Sequence, residues 1–181
     1  MLWHQAFLVF AQRYKNEIKD EILVLGGRVS LVDLQTATNV DVTYVERSVG
    51  QVVAEDSSLD RLPGGDIVAE YYLDSVLEEA NETLASKGRL TIGEISEKLQ
   101  LPTEYVLAAV KARLGTIIQG ELSGWNLYTS AFMHRERVRV RGAVSGVAAP
   151  TPLSTLFATH EFEDSMAEGI LKSLIADGRV L

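Results

Sequence analysis

The densest chemistry in this chain is the stretch HRERVRVRG, residues 134–142, where Arg135, Arg137, Arg139 and Arg141 occupy alternate positions. Against them stands only Glu136, so residues 134–141 carry a local +3 in a chain of net charge −8, which leaves −11 for everything else. A guanidinium is a permanent planar cation whose forked donors match a carboxylate or a phosphate. Three readings follow: contact with RNA phosphate, contact with an acidic partner surface, or a solvated face pairing with nearby acids. Read as a strand, the alternation leaves only Val140 explained. Read as a helix over 130–147, it puts Met133, Val140, Val144 and Val147 on one stripe and fans the arginines around the exposed sides.

Nothing else in the sequence offers a reaction. The histidines, His4, His134 and His160, lie far apart without metal-ligand spacing and read as structural or surface residues. With no cysteine there is no disulfide, no thiolate nucleophile and no cysteine-ligated zinc. Gly26-Gly27 and Gly64-Gly65 are helix and turn punctuation, not a phosphate-binding loop. We therefore expect no catalytic residue, no metal, no cofactor and no small-molecule ligand.

A pI near 4.9 opposes non-specific attraction to nucleic acid. At 46% apolar and 23% charged residues the chain reads as globular, and 181 residues suffice for a buried core. Its start, MLWHQAFLVFAQRYK, holds an uninterrupted apolar run only from Ala6 to Ala11 with no basic segment before it, so neither a signal peptide nor a membrane insertion is expected.

The elements that must position the arginines emerge from an internal repeat. At a constant offset, Gly27/Gly88, Arg28/Arg89, Tyr44/Tyr105, Val45/Val106 and Val49/Val110 are identical, and Val29/Leu90, Leu31/Ile92, Asp33/Glu94 and Leu34/Ile95 are similar. An amphipathic helix precedes each copy: Phe10, Tyr14, Ile18, Ile22 and Leu25 in the first, Tyr72, Leu73, Val76, Leu77, Ala80 and Leu84 in the second. Gly26-Gly27 and Gly88 stop these helices as left-handed caps. A short strand follows, Val29–Leu31 or Leu90–Ile92, and then a helix to about Thr38 or Leu99. After a turn comes a second helix, capped by Asp41 or Thr103.

A hairpin closes the second copy, from Thr116–Leu122 and Trp125–Thr129. A poorer one closes the first, turning near Asp56–Ser58. Helix, strand, two helices and hairpin make a winged helix.

A third unit begins with the arginine helix, continues with a short helix from Leu153 to Ala158, and ends in a helix striped by Phe162, Met166, Ile170 and Leu174. The final GRVL would open its wing. At the other end, the apolar run Ala6–Phe10 looks like the last strand of a partial winged helix. The expected fold is thus mainly α with small β-hairpins (α+β), as tandem winged-helix repeats stacked in a rod. Residues 1–10 form the partial unit's strand, 11–65 the first winged helix, 66–129 the second, and 130–181 a third with an incomplete wing. An open strand edge invites a partner strand, which makes Phe7, Val9 and Phe10 candidate partner-binding residues.

In each repeat the third helix would enter a DNA groove, and its charges are mixed: Arg47 against Asp41 and Glu46, Lys111 and Arg113 against Glu104. A winged-helix nucleic-acid-binding regulator is thus the alternative to a protein-contact module.

The same stretches carry a family resemblance. GGRVSLVDLQTATNVDVTYVERSVG, LTIGEISEKLQLP, RLGTIIQGEL and RVRGAVSGVAAPT resemble, in order, the N-terminal winged-helix region of the E3 ligase of the ubiquitin-fold modifier (ufmylation) pathway. The resemblance runs from about residue 8 to the end, and the Gly-Gly-Arg-Val-x-hydrophobic-Val-Asp-Leu-Gln run is its most specific part, since a winged helix as such does not require Asp33, Leu34 and Gln35 in that order. It implies a scaffold-type ligase component without a catalytic residue, which holds the modifier-charged E2 near a substrate lysine. It further implies an adaptor with a DDRGK domain that completes a composite winged helix, at Phe7, Val9 and Phe10 in this chain. The ribosome is a further partner. The implied location is cytoplasmic, at the endoplasmic reticulum membrane through the adaptor, with the nucleus as an alternative. The family's N-terminal E2-recruiting helix and long C-terminal helical region have no counterpart among these residues, so ligase activity by this chain alone is not expected to follow automatically.

Overall fold

The computed structural model describes residues 2–178, with side-chain environments from Val9 onward, and divides into two compact units, residues 1–77 and 78–181. It is mainly helical, with two small antiparallel sheets.

The first unit opens with helix α1 (Leu2–Val24). Tyr14, Ile18 and Ile22, each four residues on, are buried on its inner face. Gly27, at φ +88°, ends it by donating its amide to the Ile22 carbonyl at 2.8 Å. Strand β1 (Arg28–Val29) leads to α2 (Leu31–Thr38). Ser30 starts α2 with a reciprocal cap: its Oγ accepts from the Asp33 amide, and the Asp33 carboxylate accepts from the Ser30 amide. Asn39, left-handed at φ +52°, stops it.

Asp41 then caps α3 (Val42–Glu55), accepting from the Thr43 amide at 2.9 Å. Strands β2 (Leu59–Arg61) and β3 (Ile67–Ala69) follow, giving the order β1-β3-β2. Val29, Leu34, Val45, Val49, Val52 and Ile67 close over the α1 stripe in one core. These are largely the positions that the repeat preserves.

Two local expectations fail here. Ala6–Phe10 is the first part of α1, not a strand: no glycine or proline interrupts Leu2–Val24, so helix propagates through an apolar run too short for periodicity to decide. Asp56–Ser58 is not the hairpin turn. Asp56 ends α3 and accepts from the Ser58 amide, while the chain reverses at Leu62–Asp66, where Gly65 supplies φ +92°.

The boundary between units falls within α4 (Glu70–Lys87). In the second unit, β4 (Arg89–Thr91), α5 (Ile92–Leu99) and α6 (Thr103–Arg113) repeat the earlier pattern, followed by β5 (Glu121–Ser123) and β6 (Asn126–Tyr128) in the order β4-β6-β5. Thr91 and Glu94 reproduce the reciprocal cap, and Gln100 the left-handed stop at φ +52°. Thr103 was expected to cap α6. Instead Pro102 holds the cap position and Thr103 begins the helix, its hydroxyl 3.0 Å from that of Ser96. The hairpin is also shorter than Thr116–Leu122, because the amides of Thr116, Ile117 and Ile118 all turn back onto the Arg113 carbonyl.

Three helices complete the unit: α7 (Ser130–Ser145), α8 (Leu153–Thr159) and α9 (Asp164–Ala176). Phe162, Met166, Ile170 and Leu174 are buried as the stripe requires, against Tyr128, Val140 and Phe157. The GRVL wing lies, from Arg179 on, outside the described residues.

The repeat also explains its glycines. Tyr71 and Phe132, at the same offset, lay their rings on Gly27 and Gly88; a Cβ would approach them to 2.7 Å and 2.9 Å.

Candidate functional site

On α7 the helical reading holds: Val140 and Glu136 are buried, Met133 and Val144 pack partly against the core, and Val147 lies beyond the helix end. The four arginines then divide into two pairs. Arg139 donates to Glu136 at 2.7 Å and to the His160 carbonyl at 3.0 Å, and lies over the Phe162 ring. Arg135 sits 3.6 Å from the same carboxylate and stacks on Phe132. Glu136, only 3% exposed, is thus compensated from both sides, and these two arginines serve the fold.

Arg137 and Arg141 are different. Both are exposed, and with His134, Val138 and Leu174 they line a shallow groove of about 240 Å³. Their separation in sequence places them one above the other on a helix face.

At the other candidate site, α1 extends past its own core. Tyr14 is buried, whereas Val9 is 69% and Phe10 57% exposed on the preceding turn. Phe7 belongs to the same helix, with its side chain outside the described environments.

One polar constellation was not anticipated. Glu163, just before α9, accepts from Asn126 Nδ2 at 3.0 Å, from the Tyr128 hydroxyl at 3.1 Å and from Ser165 Oγ at 3.2 Å. Burial, followed by the Glu163 charge, raises the Tyr128 phenol above its ordinary value. Glu163, Asn126 and Tyr128 border a cleft of about 760 Å³ with Lys87, Arg89, Thr91 and Glu94. No sequence signal joined Glu163 to the hairpin, because the partners are separated by more than 30 positions. The cluster fastens α9 to β6.

His160 stacks on Phe162 at 5.7 Å, and His134 lies in the arginine groove; the His4 side chain is outside the described environments. Among the described residues no three potential ligands gather for a metal ion, and no helix is long and apolar enough to cross a membrane. The α3 surface stays mixed, Glu46 accepting from Arg61 at 2.7 Å.

Comparison with known proteins turns these surfaces toward one family. The sequence profile described as E3 UFM1-protein ligase 1 matches residues 8–181. The Bos taurus protein of that name is 36% identical over 168 residues, covering 91% of this chain and 21% of that protein. The homolog from Oryza sativa subsp. indica is 37% identical over 186 residues, covering 96% of this chain and 23% of that protein. Among solved structures, the mRNA-binding domain of elongation factor SelB from E. coli with SECIS RNA aligns at a TM-score of 0.39 and 12% identity, over 64% of this chain and 95% of that one. So loose a likeness carries no argument. The chain belongs to the family of E3 UFM1-protein ligase 1, the ligases of ufmylation. It spans about a fifth of the length of the curated relatives it matches.

Proposed function

We propose that this chain is a non-catalytic scaffold region of a ufmylation ligase, built of winged-helix modules that bind proteins. Its work is to hold a DDRGK-domain adaptor and help position the modifier-charged E2 for transfer to substrate lysines. The adaptor would place the assembly at the endoplasmic reticulum membrane, with the ribosome as a substrate-bearing partner. Family membership supports the pathway.

The observation that carries the scaffold reading is the N-terminal part of α1. Val9 and Phe10 stand exposed one turn before Tyr14 enters the core. An apolar helix end of this kind suits an adaptor that completes the module around it. The contact is therefore helix packing, with Phe7, Val9 and Phe10 as its anchors, and not strand addition. The mixed charges of α3 and α6 favour protein contact over groove binding in DNA.

Titration of the purified chain with a DDRGK-domain adaptor tests the reading. Phe10→Glu and Val9→Glu should each weaken binding by about tenfold or more, the loss expected when a buried apolar anchor is replaced by a charge. Unchanged affinity in both variants would remove α1 from the interface. A reconstituted transfer assay with E1, E2, modifier and adaptor then reads the scaffold role: this chain should stimulate transfer in an adaptor-dependent way. No stimulation despite adaptor binding would reduce it to a docking segment.

A further inference from the structure

The division of the α7 arginines leaves a site that the adaptor reading does not use. Arg135 and Arg139 are spent on Glu136, on two aromatic rings and on a carbonyl. Arg137 and Arg141 make no such contact among the described residues, and both line the same groove. One helical turn apart, their Cβ atoms lie about 5–6 Å from each other. No carboxylate lines the groove among the described residues. Part of its lining is apolar: Val138, 47% exposed, lies beside the two arginines, and buried Leu174 of α9 lines it as well.

We propose that Arg137 and Arg141 clamp an acidic segment of a partner protein, with an apolar side chain of that segment seated on Val138. Three observations select this occupant. Two adjacent cations with no counter-ion among the described residues attract carboxylates, and each can bind one through a forked pair of hydrogen bonds. The exposed valine beside them rewards an apolar neighbour of those carboxylates, which a sugar-phosphate backbone lacks. Among the described residues no phenyl, phenol or indole ring lines the groove for a base to stack on, His134 offering only its small imidazole, and the net charge of −8 repels a polyanion at longer range. His134 at the groove's edge adds a hydrogen-bonding group without deciding the class of ligand.

Fluorescence anisotropy with a short labelled peptide of repeated Glu-Glu-Leu reads the site directly, using the full chain. Saturable binding should weaken by at least about tenfold in the double variant Arg137→Ala/Arg141→Ala, since each lost charged hydrogen bond costs about that factor. Val138→Glu should abolish it. A control double variant with the same charge change elsewhere, Arg47→Ala/Lys111→Ala, should bind like the parent, and circular dichroism melts verify that all variants are folded. A peptide of Gln-Gln-Leu should not bind. The proposal fails if the control variant loses as much as the site variant, because attraction is then only global charge. It fails equally if the peptide shows no saturable binding below about 1 mM. If a short single-stranded RNA binds instead, and loses affinity with Arg137 and Arg141, the occupant is nucleic acid and the proposal is overturned. None of these outcomes depends on α1 or the adaptor.

Discussion

Gly26 and Gly88 share a left-handed backbone, φ +88° and +81°, yet differ in surroundings: nothing lies within 4 Å of a Cβ at Gly26, whereas Phe132 Cδ2 would be 2.9 Å from one at Gly88. Gly26→Ala should therefore cost only backbone strain, about 1 kcal/mol, and Gly88→Ala about 2–3 kcal/mol, since the ring must also move. Urea denaturation midpoints compare the two; equal losses would mean that Phe132 swings aside freely. The glycines were legible as helix stops, but their second role was not, because nothing local indicates a ring 44 positions away. The same blindness applied to the arginines. Alternation showed four equal cations, while only packing reveals that Glu136 claims two of them. Glu136→Ala should destabilise by about 2 kcal/mol, within the range for charged hydrogen bonds to a partly exposed partner. Arg137→Ala should stay within about 0.5 kcal/mol of the parent by the same denaturation experiment.

At the scale of elements, the repeat was the best guide. Helices α2 and α5 start and stop at corresponding residues, since Ser30 and Thr91 cap them reciprocally with Asp33 and Glu94, and Asn39 and Gln100 end them. The caps themselves were overlooked, although Ser-x-x-Asp and Thr-x-x-Glu announce them; Asp33 in the family-specific run is thereby given a structural task. Hydrogen bonds from Ser30, through its side chain and then its backbone, hold the Asp33 carboxyl below its ordinary value, and those from Thr91, backbone first, do so for Glu94. Ser30→Ala and Thr91→Ala should each cost about 1 kcal/mol in thermal or chemical unfolding. A cost well below that would mean that water replaces the cap without loss. Where element assignment failed, at Ala6–Phe10, the pattern was five residues long and equally compatible with a strand or a helical turn. The candidate residues Phe7, Val9 and Phe10 thus lie on a helix, not on the edge of a strand.

For the whole molecule, excess acid is both a solubility device and a liability as pH falls. In the first unit Lys15 pairs with Glu55 at 2.6 Å and Lys19 with Asp56 at 2.7 Å, fastening α1 to the end of α3. Asp56 is held at about 2 against an ordinary value of 3.8, chiefly by the Lys19 hydrogen bond and then by those from Ser58. A carboxyl whose folded value lies below its unfolded one contributes stability that is complete above the unfolded value and disappears as pH falls through the folded one. The contribution of Asp56 should therefore be full near neutrality, begin to fade near pH 4 and be gone below about pH 2. Asp33 and Glu94 are shifted the same way and add to the acid sensitivity. Denaturant midpoints measured from pH 7 downward should show the parent losing stability faster than Asp56→Asn, with the two curves converging at the acid end. A constant gap between them would mean that Asp56 acts through shape alone and not through its charge. High salt discriminates further: it should narrow the gap at neutral pH, because the Lys19–Asp56 pair is partly exposed and screened, while leaving the contribution of the apolar stripe Tyr14, Ile18 and Ile22 in place.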